Sequence, residues 1–148
     1  MTYTAGEAAK KLGMTKDGLR YYEKEGLLPD IQRDPSGNRM YSEADIDWIY
    51  LIRCLRDTDM PIARIKKYIF LLMQGGSGSI AERREILAEH QRYIQDKICT
   101  YQRLAQLIDK KVSFYDDALD PDNADAKCTD YTTEWEHFRI ILGGAKDD

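Results

Sequence analysis

The side chains of this sequence that could take part in covalent chemistry are the cysteine thiols and the histidine imidazoles. Cys54 lies in the segment Ile52-Arg53-Cys54-Leu55-Arg56-Asp57. The two arginines of this segment would favour the thiolate, which is the reactive form of cysteine. Alternatively, Cys54 fills an apolar core, where burial raises the pKa of a thiol and makes it inert. Both interpretations of Cys54 remain open from the sequence.

The other cysteines and histidines do not form a recognisable site. Cys54, Cys99 and Cys128 are widely spaced and include no C-x-x-C pair, so we expect free thiols in a reducing compartment. His90 and His137 are isolated, with no nucleophile, glycine-rich phosphate loop or paired carboxylates around them. A zinc site needs about four soft or nitrogen ligands. The sequence therefore predicts no enzyme, no metal site and no cofactor.

The composition is that of an ordered domain, and its charge is unevenly distributed. Apolar residues make up 43% and charged residues 32% of the 148 residues, which fits one domain or one small domain with an appended element. No apolar run is long enough for a bilayer and no secretory signal opens the chain, so we expect a cytoplasmic protein with no membrane partner. Residues 1–74 contain 12 Lys/Arg and 11 Asp/Glu, and residues 75–148 contain 10 and 15. Any contact with nucleic acid must therefore use locally placed cations rather than bulk charge.

Two short helices are predicted at the start of the chain. Thr4-Ala5-Gly6-Glu7 has the pattern of a capping box, and the helix that it opens should stop at Gly13 in a left-handed conformation. Thr15 is placed to cap a second helix from Lys16 to Glu25. Two short helices joined by a three-residue turn predict a helix-turn-helix.

A hairpin and two more helices should follow. The turn-forming segment Asp34–Asn38 separates Ile31–Arg33 from Arg39–Tyr41, which predicts a short hairpin over residues 31–41, called the wing below. Ser42 should cap a helix from Glu43 to about Asp57. Pro61 suits the first turn of a fourth helix that runs to about Gln74.

A long amphipathic helix is predicted after Gly75–Ser79. Apolar residues recur there at alternating steps of four and three, at ten of twelve positions, and these positions are called the seam below. The seam is Ile80, Arg84, Leu87, Gln91, Ile94, Ile98, Tyr101, Ala105, Ile108, Val112, Tyr115 and Leu119. Such a repeat is typical of a coiled coil, and a helix of about 60 Å at 1.5 Å per residue is too long for the head to cover. The sequence therefore predicts a homodimer.

The predicted fold class is mainly α, with a winged helix-turn-helix head followed by a long dimerisation helix. The head would occupy residues 1–74, the linker residues 75–79, the dimerisation helix residues 80–119 and a tail residues 120–148. The tail is too short for an independent ligand-binding domain. Its apolar residues could dock on the coil or on the head, and they are Tyr131, Trp135, Phe138, Ile140 and Ile141.

Residues 2–73 resemble the MerR family of bacterial transcription regulators. The resemblance rests on Tyr3–Ala9, Leu19–Glu23, Gly26–Leu28, Ser36–Tyr41 and Asp45-Ile46. It implies a homodimer with an antiparallel coiled coil, bound to double-stranded promoter DNA whose two recognition elements are too far apart. In that family the activated dimer bends and untwists the DNA so that RNA polymerase can use both elements.

On this resemblance the second helix would sit in the major groove. The residues at its start and on one of its faces are Thr15, Lys16, Asp17 and Arg20. Arg20 would either read guanine through two hydrogen bonds or clamp a phosphate. Tyr21 and Tyr22 point about 100° apart on a helix of 3.6 residues per turn. One of them should therefore pack inward, while the hydroxyl of the other bonds a phosphate; the alternative is that both serve helix packing.

Two further groups are implied as DNA contacts. Asn38, Arg39 and Tyr41 on the wing resemble the residues with which the family grips the DNA backbone. The family often has an aromatic residue where Asn38 stands, so a stacking contact would be absent here. The second group, near the start of the fourth helix, could form another wing contact or a plain solvated face, and it consists of Arg64, Lys66 and Lys67.

The effector is the least constrained part of the prediction. The segment around Cys54, followed by Met60-Pro61-Ile62, resembles a MerR branch that responds to aldehydes and other thiol-reactive electrophiles through one cysteine, which makes Cys54 the candidate sensor. A regulator without an effector and a metal-responsive regulator are the alternatives. Metal sites of the family use cysteines at the start of the long helix and a pair in the loop after it. Here Ile80–Leu87 contains no cysteine, so the metal alternative is disfavoured.

Overall fold

The computed structural model describes residues 1–123 and 130–146 and divides into two compact units, Met1–Arg92 and Tyr93–Asp148. The elements, in chain order, are β1 (Thr2–Thr4), α1 (Ala5–Leu12), α2 (Lys16–Lys24), β2 (Met40–Ser42), α3 (Glu43–Asp57), α4 (Ile62–Gln74), a 3-10 turn (Ser77–Ser79), α5 (Ile80–Leu119) and α6 (Tyr131–Lys146). The predicted fold class is confirmed: a helix-turn-helix with a wing precedes one long helix. Cys128 lies outside the described residues. None of the helices described is long and apolar enough to cross a membrane.

The helix-turn-helix is defined by its caps. Thr4 and Glu7 form the capping box at the start of α1, with the Thr4 amide donating to a Glu7 carboxylate oxygen at 2.8 Å. Gly13 ends α1 with φ of 60°, a left-handed conformation that strains any residue with a Cβ. The Thr15 hydroxyl then accepts a hydrogen bond from the Gly18 amide at 3.0 Å and starts α2. The turn between the two helices is therefore set by local polar groups.

The wing is anchored to the N-terminus by a sheet that was not predicted. β1 pairs antiparallel with β2, and Tyr3 lies opposite Tyr41. Arg33 and Arg39 form the bridge at the base of the wing turn, where Gly37 adopts φ of 83°. β1 has only three residues, too short for its alternation to be distinguished from the start of a helix.

The core of the first unit includes the beginning of α5. Leu19, Ile49 and Ile65, from α2, α3 and α4, are fully buried. Ile86 of α5 joins this core, and Leu87 packs against it. The start of the long helix is therefore an apolar neighbour of the helix-turn-helix.

In the second unit, α5 has one covered face and one open stripe. α6 contacts α5 through Lys111 and Glu134, whose charged groups lie 3.2 Å apart, and through the stacked rings of Phe114 and His137, 4.1 Å apart. The tail thus forms a helix that docks on α5, which the sequence did not predict as helical. Beside it the large seam residues are 39–80% exposed: Ile98, Tyr101, Ile108, Val112, Tyr115 and Leu119.

The cap between β2 and α3 gives a prediction about stability. The Ser42 hydroxyl accepts from the Asp45 amide at 3.1 Å, and the Asp45 carboxylate accepts from the Ser42 amide at 2.7 Å. We expect Ser42→Ala to lower the free energy of unfolding by about 0.5–2 kcal/mol, because an orphan amide at the helix start loses its partner. Urea unfolding followed by circular dichroism measures the change. Ser36→Ala, in the exposed wing turn, is the control, and equal midpoints for the two variants would contradict the assigned cap.

Candidate nucleic-acid interface

The exposed face of α2 contains the residues predicted to face DNA. Lys16 and Arg20 are exposed, and Arg20 pairs with Asp17 at 3.2 Å. An ion pair this exposed contributes little to stability, so the Arg20 guanidinium is readily available to another acceptor. The Thr15 hydroxyl, in contrast, is used as the α2 cap.

The two adjacent tyrosines of α2 have opposite environments. Tyr22 is buried at 9% exposure, and burial is the main cause that raises its pKa. Tyr21 is 45% exposed. Tyr21 is therefore the tyrosine of this pair whose hydroxyl a phosphate can reach in the present structure.

Glu23 connects the wing to α2. Its carboxylate accepts hydrogen bonds from both Arg39 and Arg33, the latter at 3.5 Å. The bond to Glu23 is also the main cause that raises the pKa of Arg39. Both wing arginines are thereby directed toward α2, and their positive charge is partly neutralised.

The wing turn is held by Asp34. Its carboxylate accepts from the Asn38 backbone amide at 2.8 Å and from the Asn38 side chain at 3.0 Å. The side-chain bond from Asn38 is the main cause that lowers the pKa of Asp34. Asn38 itself stays exposed at the tip.

Five of the predicted residues lie around one cleft. It has a volume of about 390 Å³. Its lining residues are Lys16 and Arg20 of α2, Thr4, Ala5 and Gly6 around the start of α1, and Asp34, Gly37, Asn38, Arg39, Met40 and Tyr41 of the wing. This space is called the α1–wing cleft below. Tyr41 is fully buried, so its ring packs in the core. The structure thus brings the start of α2 and the wing to one concave surface.

The second predicted group, on α4, is engaged with acids of neighbouring helices. Lys66 pairs with Glu25 at 3.3 Å, and Lys67 pairs with Glu82 at 2.6 Å. Arg64 forms a hydrogen-bonded pair with Glu89. These cations therefore link α4 to α2 and α5, and they do not line the α1–wing cleft.

Cys54 lies partly buried on α3, next to a hydrogen-bonded path to α5. The Thr58 hydroxyl donates to the Cys54 carbonyl at 2.7 Å and lies 2.7 Å from Nε2 of His90. Burial is the main cause that lowers the pKa of His90, so its neutral form is favoured.

The arginines that flank Cys54 make contacts elsewhere. Arg53 donates to Asp57 at 3.2 Å and to the Leu12 carbonyl, and Arg56 donates to the Met60 carbonyl at 3.2 Å. These bonds stabilise the ends of α1 and α3. The residues described contain no group of three or more histidines, cysteines and acids that could hold a metal ion.

Sequence reasoning assigned no role to Glu23 or Thr58. A signal for Glu23 was available, because Arg20 and Glu23 are three residues apart and share a face of α2. An acid on a surface that is predicted to face DNA needs cationic neighbours, and the wing supplies Arg33 and Arg39. The Thr58–His90 contact joins residues 32 apart in sequence, and no local pattern encodes it.

Comparison with known proteins points to one family. The family model described as "MerR HTH family regulatory protein" matches residues 3–70. An uncharacterised HTH-type transcriptional regulator of Haemophilus influenzae is 36% identical over 118 residues, covering 80% of this chain and 87% of that protein.

Two solved structures are similar in fold over most of the chain. The crystal structure of HiNmlR, described as a MerR family regulator lacking the sensor domain and bound to promoter DNA, has a TM-score of 0.74 and 36% identity, and covers 80% of this chain and 93% of that one. A putative MerR family regulator from Listeria monocytogenes has a TM-score of 0.72 and 26% identity, and covers 96% and 98% of the two chains.

The position of Glu23 and its charge predict opposite effects of its removal on the affinity for DNA. Removing an acid beside DNA should raise affinity by reducing repulsion. We expect Glu23→Ala to lower it several-fold instead, because the wing loses its link to α2. Fluorescence anisotropy with a duplex from the intergenic region upstream of the gene measures the affinity. Asp30→Ala is the control, since Asp30 is exposed and has no ion pair within the described residues; a gain in affinity for both variants would contradict a positioning role for Glu23.

Proposed function

The chain belongs to the MerR family of DNA-binding transcription regulators. We propose that it binds a promoter as a homodimer and distorts the DNA to control initiation by RNA polymerase. We also propose that it responds to thiol-reactive electrophiles through Cys54. The main support for the proposed DNA-binding site is that α2 and the wing meet at one surface. Lys16, Arg20 and Asn38 border one cleft there, and the bonds of Glu23 to the wing hold the two elements together.

In this proposal α2 enters the major groove, and the wing contacts the adjacent backbone. Arg20 is exposed and has only a solvent-screened partner, so exchanging Asp17 for a guanine edge costs little. Tyr21 is placed to donate its hydroxyl to a phosphate. Arg64, Lys66 and Lys67 would contribute a second backbone contact only by leaving the acids with which they pair.

The proposed dimer forms through the seam of α5. Its large apolar side chains are exposed in the single chain from Ile98 to Leu119, and each contributes roughly 1.5–3 kcal/mol when fully buried. In an antiparallel pair of identical helices, the middle of the apolar stripe on one helix packs against the middle of the same stripe on the other. The middle of this stripe is near Ile108, which would place Ile98 beside the partner's Leu119.

The proposed sensor uses the link between α3 and α5. An adduct on the Cys54 sulfur adds volume beside the backbone whose carbonyl accepts from Thr58. Thr58 in turn contacts His90 at the start of α5. A displacement of the end of α3 would therefore move the dimerisation helix. In the dimer, this movement would change the orientation of the two heads relative to each other.

Base recognition by Arg20 is tested by specificity rather than by affinity alone. We expect Arg20→Ala to reduce discrimination between the promoter duplex and a scrambled duplex by about 1–3 kcal/mol, because a bidentate contact to guanine is lost. Competition binding at fixed salt measures the ratio of the two dissociation constants. Lys24→Ala, on the last turn of α2, should lower both affinities equally; an equal loss for Arg20→Ala would make Arg20 a phosphate contact instead.

The coil is tested by placing a charge at its proposed centre. Ile108→Asp should give a monomer, because two carboxylates would be buried against each other across the dimer axis. Light scattering measures the mass, and promoter affinity should fall with it. Gln106→Asp adds the same charge to an exposed site away from the seam and should remain dimeric; a dimeric Ile108→Asp protein would place the interface elsewhere.

Electrophile sensing is tested in cells with a promoter reporter. We expect formaldehyde, methylglyoxal or a quinone to induce transcription with wild type and not with Cys54→Ser, because the serine hydroxyl is a far weaker nucleophile than a thiolate. Cys99→Ser is the matched control, since Cys99 is an exposed thiol on α5. Induction that survives in Cys54→Ser, or no induction of wild type by any of the three, would leave Cys54 as a packing residue.

A further inference from the structure

We propose that Arg53 of α3 is a positioning residue for α2, because its guanidinium occupies the space beside Gly13 and so fixes the turn from which α2 starts. The inference rests on the proposed DNA binding, in which α2 enters the major groove. It gives Arg53 and Gly13 one shared role, which is separate from any direct contact with DNA.

The end of α1 offers a carbonyl to Arg53. The Met14 amide donates to the Ala9 carbonyl at 2.9 Å and closes the last turn of α1. The Leu12 carbonyl accepts instead from Nη1 of Arg53, which is 41 residues away in sequence. The last carbonyls of a helix lack partners inside the helix and carry a partial negative charge. A guanidinium from α3 is therefore well matched to this end of α1.

Gly13 lets the guanidinium come this close. A Cβ built on Gly13 would lie 3.1 Å from Nη1 of Arg53 and 4.0 Å from its Cζ. The first of these distances is shorter than an ordinary van der Waals contact, so the guanidinium would have to move if residue 13 had a side chain. Gly13 therefore has two separate roles. It adopts φ of 60° at the end of α1, and it leaves room for Arg53.

The turn passes this constraint directly to α2. Met14 and Thr15 alone separate Gly13 from Lys16, the first residue of α2. The Thr15 hydroxyl accepts from the Gly18 amide and caps α2, so a shift of the turn moves the first turn of α2 with it. The residues at the start of a helix in the major groove are those that contact base edges, and small displacements there change which bases they reach.

The buried face of α2 lies near the same charged group. Burial is the main cause that raises the pKa of Tyr22, and the charges of Asp57, Arg56 and Arg53 also act on it. Nε of Arg53 donates to Asp57 at 3.2 Å, but the Asp57 side chain is 61% exposed. An ion pair this exposed is screened by solvent. The Leu12 carbonyl and the space at Gly13 therefore define the position of the guanidinium more than Asp57 does.

A double-mutant cycle tests the shared role of the two residues. Asn adopts a left-handed backbone more readily than most residues with a Cβ, so Gly13→Asn keeps the turn and adds the atom that would meet the guanidinium. We expect it to weaken promoter binding by about tenfold in wild type, and by less than about twofold in the Arg53→Ala background, because the two sites are coupled. Equal losses in the two backgrounds would show that Gly13 serves the turn alone and would overturn the proposal.

Gly26→Asn is the matched control for this cycle. Gly26 follows α2 with φ of 69°, and nothing lies within 4 Å of a Cβ built on it. It therefore places Asn in a similar backbone conformation with open space around it. Its effect on promoter binding should be small and the same in both Arg53 backgrounds.

Arg53→Lys and the choice of duplex separate positioning from stability. We expect Arg53→Ala to lower the ratio of promoter affinity to scrambled-duplex affinity by about tenfold, as for the loss of one base contact. Arg53→Lys should restore most of the ratio, because a lysine still donates to the Leu12 carbonyl. Lys10→Met, which removes a charge from an exposed site on α1, should leave it unchanged. A lower urea midpoint with an unchanged ratio for Arg53→Ala would overturn the positioning role.

The free protein gives a test that needs neither DNA nor the alanine variant. The Nε–H resonance of Arg53 should shift in Gly13→Asn and stay in place in Gly26→Asn. An unshifted resonance in both variants would overturn the contact at Gly13. Failure of wild type to bind any promoter duplex would overturn the proposed function instead, and this resonance would still report whether Arg53 lies against the turn.

Discussion

The hydrogen bonds from Arg33 and Arg39 to the Glu23 carboxylate hold the two halves of the surface proposed to face DNA in one arrangement. α2 and the wing are separate elements, and their own hydrogen bonds do not determine the angle between them. Glu23 is partly shielded from solvent, with 28% of its side chain exposed, which makes its bonds less screened than those of a surface pair. Without this carboxylate, two wing cations would repel each other beside α2.

Ion pairing within the head bears on how a head with almost no net charge can bind a polyanion such as DNA. Most of its cations are used internally: Arg53 at the end of α1, Arg39 on Glu23, and Lys66 and Lys67 on acids of α2 and α5. Lys16 and Arg20 differ from these cations. Lys16 has no ion pair among the described residues, and the ion pair of Arg20 is exposed to solvent. In the proposed DNA complex, the placement of these two charges, rather than the number of cations in the head, attracts the DNA.

α5 has two functions along its length. Its first turns belong to the core of the head through Ile86, and His90 connects them to Thr58. From Ile98 onward its apolar stripe is open, while α6 covers the neighbouring face around Phe114. In the proposed dimer, α5 would carry a change at α3 to the partner chain, because one end of α5 packs in the head and its later turns carry the open apolar stripe.

The sequence alone determined the elements whose signals are local. The capping residues Thr4, Thr15 and Ser42, the stop at Gly13 and the heptad repeat of α5 are encoded within a few residues, because each depends on hydrogen bonds or side-chain periodicity inside one element. The tertiary structure alone decided which side chains became partners. Glu23 with Arg39, Thr58 with His90, β1 with β2 and the placement of Lys16 beside Gly6 join residues that are distant in sequence. Such contacts arise only when the core has packed, because the positions of polar groups on different elements follow from how the apolar faces fit together.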